Sequence, residues 1–218
     1  MEVISREIVS TNWITVVFIL TLTALLAAKL TNPLRFAHFI SLFNSSKYVI
    51  FGQKGNQLSS LFNSFLIVAQ ALSISLFILI CIKTFKGIES ENALILFTEI
   101  TFFYLSFIIS KILIEKIVAT VFEIETLIED YVFYKLSYRN FLGIILLPFN
   151  IIFTYTVEPS KIVLLMVGIA VLLLNTVVLI SIFKKNEKVI LNHLLYFILY
   201  LCALEIAPYF VLYKLLGQ

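Results

Sequence analysis

The sequence predicts an all-α fold: a polytopic transmembrane helix bundle of about six spans, with an amphipathic interfacial helix after the first span and a cytoplasmic helical extension after the third. Three observations carry this. Hydrophobic residues make up 61 % of the 218 and charged residues only 13 %, about half the charged share of a soluble globular domain. The apolar residues gather into six runs, each of roughly 18 residues or more and so able to cross about 30 Å of hydrocarbon as a helix. Most charges fall between those runs.

In chain order, the first run is 13–30, interrupted only by Lys29. Asn32 can then cap a helix whose first residue is Pro33. Along it, Leu34, Phe36, Ala37, Phe39, Ile40 and Phe43 alternate at helical spacing with Arg35, His38, Ser41 and Asn44. That pattern predicts a helix lying on the inner leaflet. The glycines and polar residues of 51–57, with Lys54 among them, predict a turn into the second span, 62–82. The third span is 93–110.

The long connection from Lys111 to Arg139 carries Glu115, Glu123, Glu125, Glu129 and Asp130 among apolar residues at helical spacing. It predicts a continuation of the third helix into the cytoplasm, whose acidic flank either meets a partner or packs beneath the bundle. The fourth span, 138–155, has a short apolar core holding Pro148 and Asn150, and is expected to be kinked, tilted or re-entrant. The fifth and sixth are 162–183 and 189–213. Neither an internal repeat nor a composition shift divides the chain, so residues 1–218 read as one bundle.

With six spans, Lys29, Arg35, Lys47, Lys54, Lys111, Lys116, Lys135, Arg139, Lys184, Lys185 and Lys188 fall on one side of the membrane. Arg6, Lys83, Lys86, Lys161 and Lys214 fall on the other. The positive-inside rule makes the first side cytoplasmic and places both termini outside. The start of the chain lacks the basic region and cleavage site of a signal peptide, so the first span is expected to be retained. A net charge of +3 without a basic groove argues against nucleic acid as a partner. Cys81 and Cys202 lie in separate apolar runs without metal or redox spacing.

Ionisable residues inside spans are functional candidates because a charge in hydrocarbon is costly. Here they are Glu99, Glu205 and, nearer a boundary, His193. With the third span running inward and the sixth outward, Glu99 and Glu205 fall at similar depth in the outer half. Such a pair could share a proton. Pro208 frees the Leu204 carbonyl beside Glu205, and a protonated Glu205 could donate to it. The two carboxylates either couple to ion flow, line a polar pocket for a lipid headgroup, or only set helix register. Asn150, Asn175 and Gln70 fit ordinary interhelical hydrogen bonds. With no nucleophile motif, glycine-rich phosphate loop or paired-aspartate site, no enzyme, cofactor or metal is expected.

The run Leu199 to Pro208, continued by Val211-Leu212-Tyr213-Lys214, resembles the closing signature of a family of polytopic inner-membrane proteins of Bacteroidota with a domain of unknown function. Asn12-Trp13 before the first span and Lys29, Pro33, Arg35 and Phe36 after it resemble the opening of the same family. Asn12 departs from the aspartate more usual before that tryptophan, which puts a polar role at that position in doubt. The resemblance implies a bacterial inner membrane but no activity and no catalytic residues. It places such proteins beside genes for polyprenol-phosphate-mannose and tetrapyrrole synthesis, a hint of envelope work, and leaves room for an accessory role in export such as type IX secretion.

The expected function is therefore a non-enzymatic subunit of a multiprotein inner-membrane complex in envelope biogenesis or protein export. Its partners are the lipid bilayer and other inner-membrane proteins. Its contact surfaces would be the helix carrying Arg35 and His38, the basic Lys47 and Lys54, and the acidic run Glu123, Glu125, Glu129 and Asp130. The alternatives are a transporter of lipid- or polyprenyl-phosphate-linked substrate (or a helper of a glycosyl transferase), and a proton-coupled element built on Glu99 and Glu205.

Overall fold

The structure is a computed structural model that describes residues 12–42, 61–87, 93–121, 125–156 and 159–185. These form six helices: α1 Asn12–Thr31, α2 Pro33–Ile40, α3 Leu61–Lys86, α4 Ala93–Val121, α5 Glu125–Tyr155 and α6 Lys161–Lys185. No strand occurs among the described residues. α1, α3, α4 and the Tyr131–Tyr155 part of α5 are long and apolar enough to cross a membrane. α6 is apolar over 161–177. The expected sixth span, 189–213, and the turn at 51–57 lie outside the described residues.

α3 is the axis of the bundle, because α1, α4, α5 and α6 all pack on it. Half of its apolar window is buried, against 11 % for α4. Its sequence explains this: Ala69, Ala71, Ser73 and Ser75 are buried small residues that let neighbouring backbones come close. α5 approaches closely at Gly143, where an added Cβ would stand 2.7 Å from Gln70 Cγ and 2.9 Å from Gln70 Cα. Only glycine fits that position.

Among the described residues, two apolar clusters close the bundle at its ends. At one, Trp13 lies 5.5 Å from the Phe97 ring, over Val17, Phe18, Leu76 and Leu79. Tyr155 packs against Phe18 and shares a 2.6 Å hydrogen bond with the Thr15 hydroxyl. At the other end Phe39 of α2 meets Phe62 and Phe141 edge-on, with ring centroids 6.4 and 5.8 Å away. Ala28, Leu42, Leu66 and Phe133 complete that cluster.

α2 begins as its sequence requires: Asn32 Oδ1 accepts a hydrogen bond from the Arg35 backbone N–H at 3.1 Å, and Pro33 takes the first position. Its broad apolar face is divided between the core and the surface. Phe36 and Phe39 turn into the bundle with Leu42, while Leu34 and Ile40 are 75 % and 56 % exposed. The aromatic socket made by Phe62 and Phe141 takes a stripe of residues three apart, and this leaves a second apolar stripe facing outward.

The connection expected to extend the third span divides between two helices. α4 runs on from the span to Val121, and α5 starts at Glu125 rather than at Tyr138. Ile128, Tyr131, Val132, Phe133, Tyr134, Leu136 and Ser137 are all buried, so this stretch is held by packing despite the charges around it. α5 continues unbroken through Pro148, which is exposed.

Gly143→Ala is expected to destabilise the bundle by about 1–3 kcal/mol through overpacking, although alanine is the better helix former by about 1 kcal/mol. Gly168→Ala, which meets nothing within 4 Å among the described residues, is the control and should leave stability unchanged or slightly raised. Thermal unfolding of both variants in one detergent reads the difference, and equal melting temperatures would refute the close approach.

Candidate functional site

Buried polar side chains form a line across the interior. Gln70 of α3, fully buried, donates from Nε2 to Tyr104 Oη of α4 at 2.6 Å. Asn150 of α5, also fully buried, donates from Nδ2 to the Ser73 carbonyl at 2.7 Å and lies 3.3 Å from Ser73 Oγ. Such interhelical bonds contribute about 0.6–2 kcal/mol each within a membrane. Gln70 Oε1, Ser75 Oγ, Asn150 Oδ1 and both amide atoms of Asn140 have no hydrogen-bond partner among the described residues. Each such atom costs on the order of 1–3 kcal/mol when left alone, so the α3–α5 interior favours polar company over apolar filling.

A second arrangement joins α4 to α5. Lys111 and Glu115 stand one turn apart on α4, and Lys135 and Arg139 one turn apart on α5. Lys135 Nζ donates to Glu115 Oε1 at 2.8 Å and sits 5.4 Å from the centre of the Tyr131 ring. Glu115 is 1 % exposed and Lys111 6 %. The four charged residues line a narrow cleft, with room for about one water, walled by Ile108, Ile112, Val132 and Leu136. Arg139 Nε is buried there with no hydrogen-bond partner among the described residues. Chemically the cleft brings three basic side chains together around one buried carboxylate. No cluster of three or more metal-ligating side chains occurs among the described residues.

Of the candidates named from sequence, Gln70 and Asn150 lie in the polar line. Glu99 does not. It is exposed on α4 beside Ile95, Phe102 and Phe103, which are 60 %, 73 % and 62 % exposed, and among the described residues it has no ion-pair partner. Asn175 is half-buried on α6, Arg35 and His38 are half-buried on α2, and Glu125 and Glu129 are exposed on α5. Glu205, Pro208, His193, Lys47, Lys54, Glu123 and the side chain of Asp130 lie outside the described residues, and so does any meeting of Glu99 with Glu205.

Sequence reasoning missed the charged cleft. It counted Lys111, Lys135 and Arg139 as loop charges that orient the chain, and Glu115 as part of an acidic flank. A usable signal was present: two charged pairs at helical spacing, Lys111/Glu115 and Lys135/Arg139, each set among isoleucine, leucine or valine.

Residues 14–216 match a family model described as a domain of unknown function (DUF4271). No curated protein matches the chain, and no solved structure does.

Asn150→Ala is expected to lower stability by about 1–2 kcal/mol, because the Ser73 bond is lost and a buried side chain is truncated. Asn175→Ala should change stability by less than about 0.5 kcal/mol at its half-buried position. Chemical or thermal denaturation of the purified variants ranks the two, and the reverse order would contradict the bridging role of Asn150.

Proposed function

We propose that this chain, which belongs to the DUF4271 family, is a non-enzymatic inner-membrane subunit of a multiprotein complex in envelope biogenesis or protein export, docking on its partner through α4. The observation that carries this is Glu99. The carboxylate lies about 9 Å along α4 from Ala93 at 1.5 Å per residue, on a helix face of exposed apolar side chains. An unpaired charge in hydrocarbon costs several kcal/mol. A partner helix that brings a cation, amide or hydroxyl to Glu99 removes that cost and covers the apolar face in the same step.

The remaining parts of the reading are orientation and setting. The excess of Lys and Arg on the α2 side supports a cytoplasmic location for that end and periplasmic termini. Arg35 and His38 of α2 and the exposed Glu125 and Glu129 of α5 then offer cytoplasmic contacts. The envelope setting draws on the resemblance to inner-membrane proteins of Bacteroidota.

A photo-crosslinking residue placed at Phe102, followed by purification in mild detergent and mass spectrometry, tests the docking helix. One membrane protein should be captured at α4 in near-stoichiometric amount. Glu99→Leu should reduce its recovery about tenfold or more, a loss of roughly 1.4 kcal/mol, and Glu99→Gln, which still forms hydrogen bonds, should retain most of it. A reproducibly solitary protein would overturn the subunit role.

A further inference from the structure

We propose that the cleft between α4 and α5 binds one water molecule, which accepts a hydrogen bond from Arg139 Nε of α5 and donates one to the Glu115 carboxylate of α4. This water-mediated bridge then joins the two helices beside the direct ion pair of Lys135 with Glu115. The inference rests on the cleft alone and stands whether or not α4 docks on a partner.

The first argument is room. The space walled by Ile108, Ile112, Val132 and Leu136 takes about one water. An apolar void of that size stays dry, and a water is held only where about two to four polar groups meet it. Lys111, Glu115, Lys135 and Arg139 line the same space. Glu115 is 1 % exposed, so a water that reaches its carboxylate there is a bound molecule and not bulk solvent.

The second argument is an unmet donor. Arg139 Nε is buried and has no hydrogen-bond partner among the described residues. A guanidinium only donates, and a buried N–H without an acceptor gives up its hydration without replacement. The partner it needs must therefore accept. Lys111 and Lys135 cannot serve, because an ammonium also only donates. Glu115 is thus the one acceptor among the charged side chains that line the cleft, and Arg139 Nε does not bond to it directly.

The third is the match between the two groups. Glu115 Oε1 accepts from Lys135 Nζ at 2.8 Å, and one donor does not fill the roughly four lone-pair sites of a carboxylate. A water accepts from Nε–H with a lone pair and gives its own hydrogen to the carboxylate, which satisfies both groups at once. Such a bridge is nearly as favourable in enthalpy as a direct hydrogen bond. A halide would also accept from Nε–H, but it has no hydrogen for Glu115 and sets a like charge beside it.

A structure of the full chain in lipid, at a resolution that shows ordered water, tests the proposal. One peak is expected in the cleft, about 2.7–3.2 Å from Arg139 Nε and at hydrogen-bonding distance from a Glu115 oxygen. Arg139→Met, which keeps an apolar stem and removes the donor, should abolish the peak while Lys135 stays paired with Glu115. The proposal is overturned by a wild-type cleft without such a peak, by a direct bond between Arg139 and Glu115, or by a peak that persists unmoved in Arg139→Met. A peak that disappears when chloride in the buffer is replaced by gluconate identifies a halide and overturns it too.

If Arg139→Met fails to fold, the wild-type chain carries the test. It has three arginines, Arg6, Arg35 and Arg139, so solid-state NMR of a sample labelled with 15N-arginine shows three Nε–H groups. Arg6→Lys and Arg35→Lys assign two of them and leave the third to Arg139. That group should receive magnetisation from water at short mixing times, and an Arg139 Nε–H that stays dark to water would refute the bridge.

Discussion

The contact between α3 and α5 at Gly143 is the constraint on which the rest of the bundle depends. In lipid there is no hydrophobic force between helices, so association relies on close packing and on hydrogen bonds that the bilayer cannot supply. The missing side chain at Gly143 lets α5 lie against the backbone of Gln70. At that distance the Asn150 amide reaches the Ser73 carbonyl two turns further along α5. A Cβ at residue 143 would push α5 away and lengthen that bond. On its other side α3 joins α4 through Gln70 and Tyr104, so one residue of α3 links the packing contact to the polar line.

The two glutamates of α4 show two solutions to the same electrostatic problem. Glu115 is buried and meets Lys135 at 2.8 Å, which exchanges the cost of a lone carboxylate for the smaller cost of a desolvated pair. Glu99 is placed on a face that the described helices leave uncovered. Among the described residues α4 buries only 11 % of its apolar window, the least of the four candidate spans. It is also the helix that carries both the lone carboxylate and half of the charged cleft, so the least buried span holds the most unsettled chemistry.

α2 illustrates how tertiary structure redistributes a pattern. Its cap and first residue follow from Asn32 and Pro33, because capping involves atoms three residues apart. Its faces do not follow in the same way. The apolar residues from Leu34 to Ile40 satisfy a helical period, but only those opposite Phe62 and Phe141 are drawn inward. The remainder stay exposed, which gives this short helix an apolar stripe on each side of Arg35 and His38.

What the sequence by itself determined was the class of fold and the placing of its first apolar runs in helices: these runs and the N-terminal cap of α2 are set by neighbours within a few residues. It also singled out Gln70 and Asn150 as interhelical bonders, since an amide within an apolar run has few other ways to satisfy its hydrogen bonds. Only the tertiary structure decided which side chains meet. Asn150 and Ser73 are 77 residues apart in sequence, and Lys135 and Glu115 are 20 apart on different helices. The division of the Lys111–Arg139 connection between α4 and α5 was hidden for the same reason: its helical spacing suits one long helix as well as two antiparallel ones, and only the burial of Ile128 to Ser137 against the bundle separates the two. Helix formation is decided locally by period and capping, whereas the pairing of charges across a bundle depends on the rotation and approach of whole helices, which no single run of sequence encodes.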